Sequence, residues 1–222
     1  MNLRPNKPMR IILVRHGETL WNREHRCQGK TDTALTPLGL KQAGELAQHL
    51  GQEQLAAVYS SPLKRARETA RLIAQLHHLP VEIRAGLREL DQGGLEGKTY
   101  VELREEYAEF MARWQENPAG VRLPDGESLD ELQQRAWAEI ERIRQEHSEG
   151  VVVVVSHQLT LLTIICRFLD LSLTSFRRLR QDLASLTILE YEERGPALVR
   201  LNETYHLDKK DCRRPQNVSG SD

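Results

Sequence analysis

Residues 151–157 read Val151-Val152-Val153-Val154-Val155-Ser156-His157. Five β-branched residues in a row show neither helical periodicity nor a polar face. A run apolar on both sides predicts a strand covered on both faces, as in the middle of a parallel sheet. Working outward, Arg10 to Val14 is a second run of this kind and Leu55 to Tyr59 a third. Thr36-Pro37 supplies an N-cap and a proline for the first helical turn, ahead of Leu40, Ala43, Leu46, Ala47 and Leu50 at helical spacing. Ser61-Pro62 repeats the signal ahead of Leu63, Ala66, Ala70, Ile73 and Leu76. Val81 to Arg84 reads as a short strand and Thr99 to Glu116 as one or two helices. Ser128 and Glu131 form a capping box for a long helix with Leu129, Leu132, Ala136, Ile140 and Ile143 on one face. Leu159 to Leu169 reads as a buried helix. Leu186 to Glu192 and Ala197 to Asn202 read as strands joined at Gly195-Pro196. So short a link implies that one of them runs antiparallel at a sheet edge. Strands alternating with helices predict an α/β fold, a three-layer α/β/α sandwich with a mostly parallel central sheet and one antiparallel edge strand.

No internal repeat and no long linker divides the 222 residues. We expect an N-terminal tail at 1–8, one domain at 9–207 and a C-terminal tail at 208–222. With 31 basic against 32 acidic residues the net charge is -1. That excludes a global field that would draw the chain onto nucleic acid or an anionic membrane, so anion selectivity has to come from a local cluster. Cys27, Cys166 and Cys212 are odd in number and form no CxxC pair. This argues against a disulfide framework or a structural zinc site and for a reducing compartment. Ile11 to Val14 is too short for the core of a secretory signal, and Leu159 to Ile165, with Thr160 and Thr163 inside it, cannot span a bilayer. A cytoplasmic location follows by exclusion.

In parallel α/β sheets ligands bind beyond the carboxyl ends of the strands. There the chain carries Arg15-His16-Gly17-Glu18-Thr19 after the first strand, Ser60-Ser61-Pro62 with Arg65 after the second, and Ser156-His157 after the valines. If these ends share one edge, Arg15, His16, Arg65 and His157 surround one small anion. The planar fork of arginine suits phosphoryl oxygens. Helix N-termini near Ser61 and Gln158 would add backbone donors. A lone histidine at a strand end is ordinarily a structural hydrogen-bonder, and a lone arginine solvates a surface. Two such histidines, each with an arginine at hand, make that bland reading poor. No acidic ligands stand at metal-binding spacing, so a metal site ranks low. His25, His49, His77, His78, His147 and His206 read as surface residues. The segment Leu87 to Gly97 packs Glu89, Asp91 and Glu96 with three glycines. On its residues alone it is either a solvated turn or a loop that carries a general acid and base.

Taken together these stretches resemble the histidine phosphatase superfamily, in its phosphoglycerate mutase-like branch. The likeness runs through Arg15 to Thr19 with Trp21-Asn22, Gln28-Gly29, Leu35 to Gly39 and Ser60 to Ala70. It continues through Leu87-Arg88-Glu89, Gly94, Glu96-Gly97, Asp125 to Ser128 and Val155-Ser156-His157, covering roughly residues 9 to 206. The resemblance implies that His16 accepts the phosphoryl group and that Glu89 donates the proton. It implies that Arg15, Arg65 and His157 form the phosphate pocket, with His157 as a cation, and that Asn22, Gln28 and Gly29 line it. Gln158 departs from the pattern, since many relatives have glycine after the second histidine; it either donates to the phosphate or narrows the pocket. No cofactor and no metal is implied, because the arginines supply the positive charge. Asp91 and Glu18 stand as reserve acids.

The activity implied is a histidine acid/neutral phosphatase that hydrolyses a small phosphorylated metabolite without a metal. Its rivals are a phosphoglycerate mutase and a member that acts on or binds phosphoproteins. Mutase relatives carry a Trp-Arg-Arg insertion and a proline run after the acidic loop. Lys98 to Leu123 has Trp114 but neither feature, which favours hydrolysis. No nucleic-acid or membrane partner is expected. Dimers are common among relatives, so the resemblance admits a homodimer.

Overall fold

The computed structural model describes residues 8–208. Apart from Pro8 and Asp208, the expected tails lie outside the described residues, as does Cys212. Along the chain run β1 (Met9–Arg15), α1 (Leu20–Arg23), α2 (Pro37–Leu50), β2 (Leu55–Ser60), α3 (Lys64–Leu76) and β3 (Val81–Ile83). Then come α4 (Tyr100–Glu106), α5 (Ala108–Glu116), α6 (Leu129–Glu146), β4 (Gly150–Ser156), α7 (Gln158–Phe168), β5 (Leu186–Glu192) and β6 (Gly195–Glu203). The six strands form one sheet in the order β3-β2-β4-β1-β5-β6. The first four in that order are parallel; β5 runs against β1, and β6 runs against β5. The antiparallel strand thus lies one place in from the edge that β6 occupies.

Alternate side chains of the central strands feed two cores. Ile12, Val14, Val58, Val153 and Val155 pack with Leu46, Leu50, Ala66, Ala70 and Ile73 of α2 and α3. Ile11, Leu13, Tyr59, Val152 and Val154 pack with Ala136, Ile140, Ile143, Leu161 and Ile164 of α6 and α7. Helices on both faces explain why the valine strand needs no polar alternation. A third cluster joins Leu90, Leu95, Leu103, Leu123, Leu129, Leu132 and Leu162. It pins the acidic loop, whose buried Leu87, Leu90 and Leu95 follow no helical or strand period.

Most local signals act where the sequence puts them. Thr36 caps α2 by accepting from Gly39 N at 3.0 Å, and the Ser128–Glu131 capping box opens α6. The 99–116 segment divides at Tyr107 into α4 and α5. Two expectations need correction. The helix after Ser61-Pro62 starts two residues later than that signal, with Leu63 as its N-cap; Ser61 Oγ accepts from Leu63 N at 3.3 Å as well as facing His157 Nε2, so it closes the turn ahead of the helix. The β5–β6 turn is made by Glu193 and Arg194, and Gly195, at φ +116°, already belongs to β6. Among the described residues no helix is long and apolar enough to cross a membrane.

Candidate active site

Strand register brings the polar ends together. Arg15 pairs with Ser156 and Ser60 with Val155. One residue further, His16 N donates to Ser156 O at 3.1 Å and Ser61 N to Val155 O at 3.0 Å. His16, Ser61 and His157 therefore leave three adjacent strands side by side. The two imidazole rings lie 5.2 Å apart, centroid to centroid.

His16 is 3% exposed. Its Nδ1 lies 2.7 Å from Gly17 O. A carbonyl can only accept, so Nδ1 carries the proton and Nε2 presents a bare lone pair. Burial first, then the charges of Arg65 and Arg15, hold the imidazole pKa well below 6.5. Gly17 lets the chain leave the strand at this point: a Cβ there would sit 2.4 Å from Gly39 O.

Both arginines are sunk. Arg15 gives one N–H to Gln181 O at 2.7 Å, while its buried Nε has no partner. A guanidinium with an orphaned buried donor is built for an incoming acceptor. Arg65 is wholly buried and donates to Gly29 O at 2.7 Å, Thr31 O at 2.9 Å and His157 Nδ1 at 3.2 Å. Burial lowers both guanidiniums to about 10, with Glu89 the largest opposing influence on each, so both are cations at neutral pH. Gln28 turns its amide oxygen to Arg65, 3.0 Å from Nε and 3.2 Å from Nη1, and its NH2 to Thr19 Oγ1 at 2.6 Å. The orientation follows from Arg65, which has only donors to offer.

His157 differs from its expected role as a cation. Arg65 Nε–H, shared with the Gln28 oxygen, reaches Nδ1 at 3.2 Å; with Nδ1 as acceptor the ring's one proton is on Nε2, which donates to Ser61 Oγ at 2.7 Å. Burial, then Arg65, His16, Arg15 and Arg135, push its pKa well below 6.5. In the chain without a bound anion His157 is neutral.

Glu89 is 5% exposed and faces the N-terminus of α7. Its Oε1 accepts from Leu90 N at 2.9 Å and Thr160 N at 3.1 Å and shares the Thr160 hydroxyl proton, 3.1 Å away, with Arg88 O at 2.8 Å; Oε2 accepts only from Leu159 N, at 3.2 Å. Arg135 of α6 braces the turn behind it, donating to Gly86 O, Arg88 O and Glu89 O and forming a forked ion pair with Glu127.

The other expected residues sit around this centre. Gly29 contributes its carbonyl to Arg65. Asn22 uses Oδ1 to accept from Thr19 N and Oγ1 and touches neither histidine. Gln158, the first residue of α7, is half-buried and its side chain makes no hydrogen bond. The reserve acids are occupied: Glu18 is ion-paired with Arg23 at 2.7 Å, and Asp91 with Lys30 at 2.7 Å. Of the six histidines read as surface residues, His25, His49 and His78 are exposed. His77, His147 and His206 are half-buried; His206 Nε2 donates to Ala184 O, and His147 bonds Tyr59 Oη. Among the described residues no group of three or more His, Cys, Asp or Glu is placed to hold a metal.

Thr160 and Arg135 were not foreseen as parts of the site, and Ser61 was foreseen as a strand-end residue but not as the partner of His157. Thr160 left a signal, a polar residue three past His157 in an otherwise apolar helix start. Arg135 left none, since it lies on the polar face of α6 and its partners are largely remote carbonyls.

The family model described as histidine phosphatase superfamily, branch 1, matches residues 11–204. Phosphoserine phosphatase 1 of Hydrogenobacter thermophilus is 39% identical over 199 residues, covering 90% of this chain and 94% of the relative. A Yersinia pestis protein named "Probable phosphoglycerate mutase GpmB" is 33% identical over 205 residues, covering 90% and 95%. The crystal structure of the α-ribazole phosphatase of Shigella flexneri superposes with a TM-score of 0.81 at 30% identity, covering 88% of this chain and 97% of that one.

Proposed function

The chain belongs to the histidine phosphatase superfamily, branch 1, and from that premise we propose that it hydrolyses a small phosphomonoester through a phosphohistidine at His16. The observation that carries the reading is the bare Nε2 of a buried His16 that feels the charges of two buried guanidiniums, one of which keeps an orphaned donor. Two guanidinium charges balance a phosphate dianion, but not a dianion together with the Glu89 carboxylate. Glu89 Oε2, which accepts from Leu159 N alone, is the oxygen we assign as proton donor to the leaving group.

His16 Nε2 attacks phosphorus, the ester P–O bond breaks, and the departing alkoxide takes the proton from Glu89. The ring keeps its Nδ1–H on Gly17 O and is left as a phosphorylated imidazolium. Glu89, now a carboxylate, accepts a proton from water; the hydroxide attacks phosphorus, the P–N bond breaks and inorganic phosphate leaves. Arg15 and Arg65 hold the equatorial oxygens throughout. The scheme calls for no metal. The phosphoserine and α-ribazole phosphatases among the similar proteins support a metabolite as substrate, and phosphoserine heads the panel to be screened.

The deciding experiment is a denaturing quench during turnover of a labelled ester. Wild-type chain should carry acid-labile, base-stable phosphate, and His16→Ala should neither carry it nor turn over. Label on serine or cysteine would overturn the proposal.

A further inference from the structure

The acidic glycine loop holds a carboxylate that the scheme above does not use. Glu96 Oε1 accepts from Lys30 N at 2.8 Å; Oε2 accepts from Thr31 N at 2.9 Å and from Thr31 Oγ1. The two residues it grips belong to the turn whose carbonyls, Gly29 O and Thr31 O, hold the Arg65 guanidinium. Each link is short and directional, so Glu96 reaches Arg65 through two backbone segments. Its charge also acts on Arg65 directly, favouring the guanidinium cation. The fit is close: a Cβ on Gly29 would lie 2.2 Å from Glu96 Oε1 and 2.8 Å from Gln92 N. That contact requires glycine at 29 by space alone.

We propose that Glu96 is the positioning residue of the phosphate pocket, fixing Arg65 by clamping the 29–31 turn. The carboxylate polarises the Lys30 and Thr31 amides, whose peptide planes include Gly29 O and the Lys30 carbonyl. It fixes where the turn sits against the loop. Outer contacts of this kind set the geometry of the group that meets the ligand. Removing the charge or one acceptor loosens the turn and lets the Arg65 fork rotate off the phosphoryl oxygens, while His16, Arg15 and Glu89 keep their own supports.

This inference rests on the phosphatase reading, and the experiment separates the two. Dissociation constants for orthovanadate and inorganic phosphate are measured on the full chain for wild type, Glu96→Gln, Arg65→Ala and the double variant, with thermal unfolding of each. Glu96→Gln keeps the size and one acceptor, so it should fold. Its oxyanion affinity should fall about tenfold, and kcat/KM with it, mainly through KM. In the Arg65→Ala background the same change should have little further effect, because the two residues act through one linkage. Unchanged affinity in Glu96→Gln, or an equal loss with and without Arg65, would overturn the positioning role. Should Glu96→Gln fail to fold, the measurement passes to Thr31→Val, which removes only the hydroxyl that Glu96 accepts from. A several-fold weakening that vanishes in the Arg65→Ala background supports the linkage, and no weakening overturns it. Failure of the wild-type chain to bind any oxyanion would instead sink the phosphatase reading itself.

Discussion

At the scale of single residues the site is defined by which groups are kept uncharged. Burial, together with Arg65 and Arg15, depresses both His16 and His157. Above about pH 6.5 neither the folded nor the unfolded chain protonates them, so they cost nothing there. As pH falls through 6.5 the unfolded chain binds protons that the folded chain refuses, and stability is lost until the depressed folded values are reached. Thermal unfolding should therefore show a fall in Tm between about pH 7 and pH 5 that is smaller in His157→Asn and smaller with saturating phosphate, whose charge favours the imidazolium. An identical fall in all three would remove the account. Glu89 gives a second expectation. In Glu89→Gln the amide oxygen keeps the three donors on Oε1, and the NH2 group meets Leu159 N–H in place of an acceptor. The variant should lose roughly 1–2 kcal/mol of stability. It should slow single-turnover phosphorylation by alkyl phosphates roughly 10²–10⁴-fold and by p-nitrophenyl phosphate much less, since a good leaving group needs no proton. Equal losses with both esters would assign the proton to another group.

At the scale of elements the loop that carries Glu89 depends on α6. Arg135 satisfies three carbonyls of the 86–89 turn and pairs with Glu127, itself the acceptor for Asp91 N at 2.9 Å. Arg135→Leu leaves Gly86 O and Glu89 O without this donor, while Arg88 O keeps the Thr160 hydroxyl at 2.8 Å, and should cost roughly 2–3 kcal/mol. It should also reduce turnover of alkyl esters more than of aryl esters, because Glu89 loses its support. Ser128→Ala, at the cap of the same helix, should cost about 1 kcal/mol and leave that preference unchanged. If both variants shifted the preference alike, the brace would be no more than helix stability. The contrast also shows what was legible in the sequence. The Ser128 cap, the Thr36 cap and the valine strand were readable because their partners lie within a few residues or because burial on two faces leaves a compositional trace. The start of α3 lies beyond the Ser61-Pro62 signal, because Ser61 closes a turn onto Leu63 N, and its second partner, a histidine 96 positions away, leaves no local trace. Arg135 was invisible because backbone carbonyls have no side-chain identity to find. At the site, the residue types at strand ends could be read, but not the neutral state of His157, which is set by a proton on Arg65 Nε and an acceptor on Ser61.

At the scale of the whole molecule the question is whether the proposed phosphohistidine passes its group to water or to a second hydroxyl. One relative carries a mutase name and another a phosphatase name, at similar coverage. The centre described above serves both reactions, so variants at His16, Arg15, Arg65, His157 or Glu89 cannot distinguish them. A mutase has to retain a bisphosphorylated intermediate while it reorients, and that calls for cations to hold the second phosphate. Between Gly97 and Asp125 the chain offers Lys98, Arg104, Arg113 and Arg122 beside Glu102, Glu105, Glu106, Glu109, Glu116 and Asp125. Lys98 is taken by Glu106 at 2.6 Å and Arg122 by Glu131 at 2.5 Å. Arg104 lies over the Tyr100 ring at 5.7 Å, and Arg113 is exposed. Two of these four cations are thus paired with acids in the free chain, which argues against a second-phosphate clamp built from this segment. We expect 3-phosphoglycerate with catalytic 2,3-bisphosphoglycerate to yield little 2-phosphoglycerate, while at least one phosphomonoester, phosphoserine first, releases inorganic phosphate readily. The check is one reaction followed by two readouts, isomer ratio and free phosphate. Interconversion of the phosphoglycerates much faster than phosphate release from any ester tested would replace hydrolase by mutase. It would leave the proposed phosphohistidine untouched, because that scheme forms the N–P bond at His16 in both reactions and only the acceptor that breaks it differs.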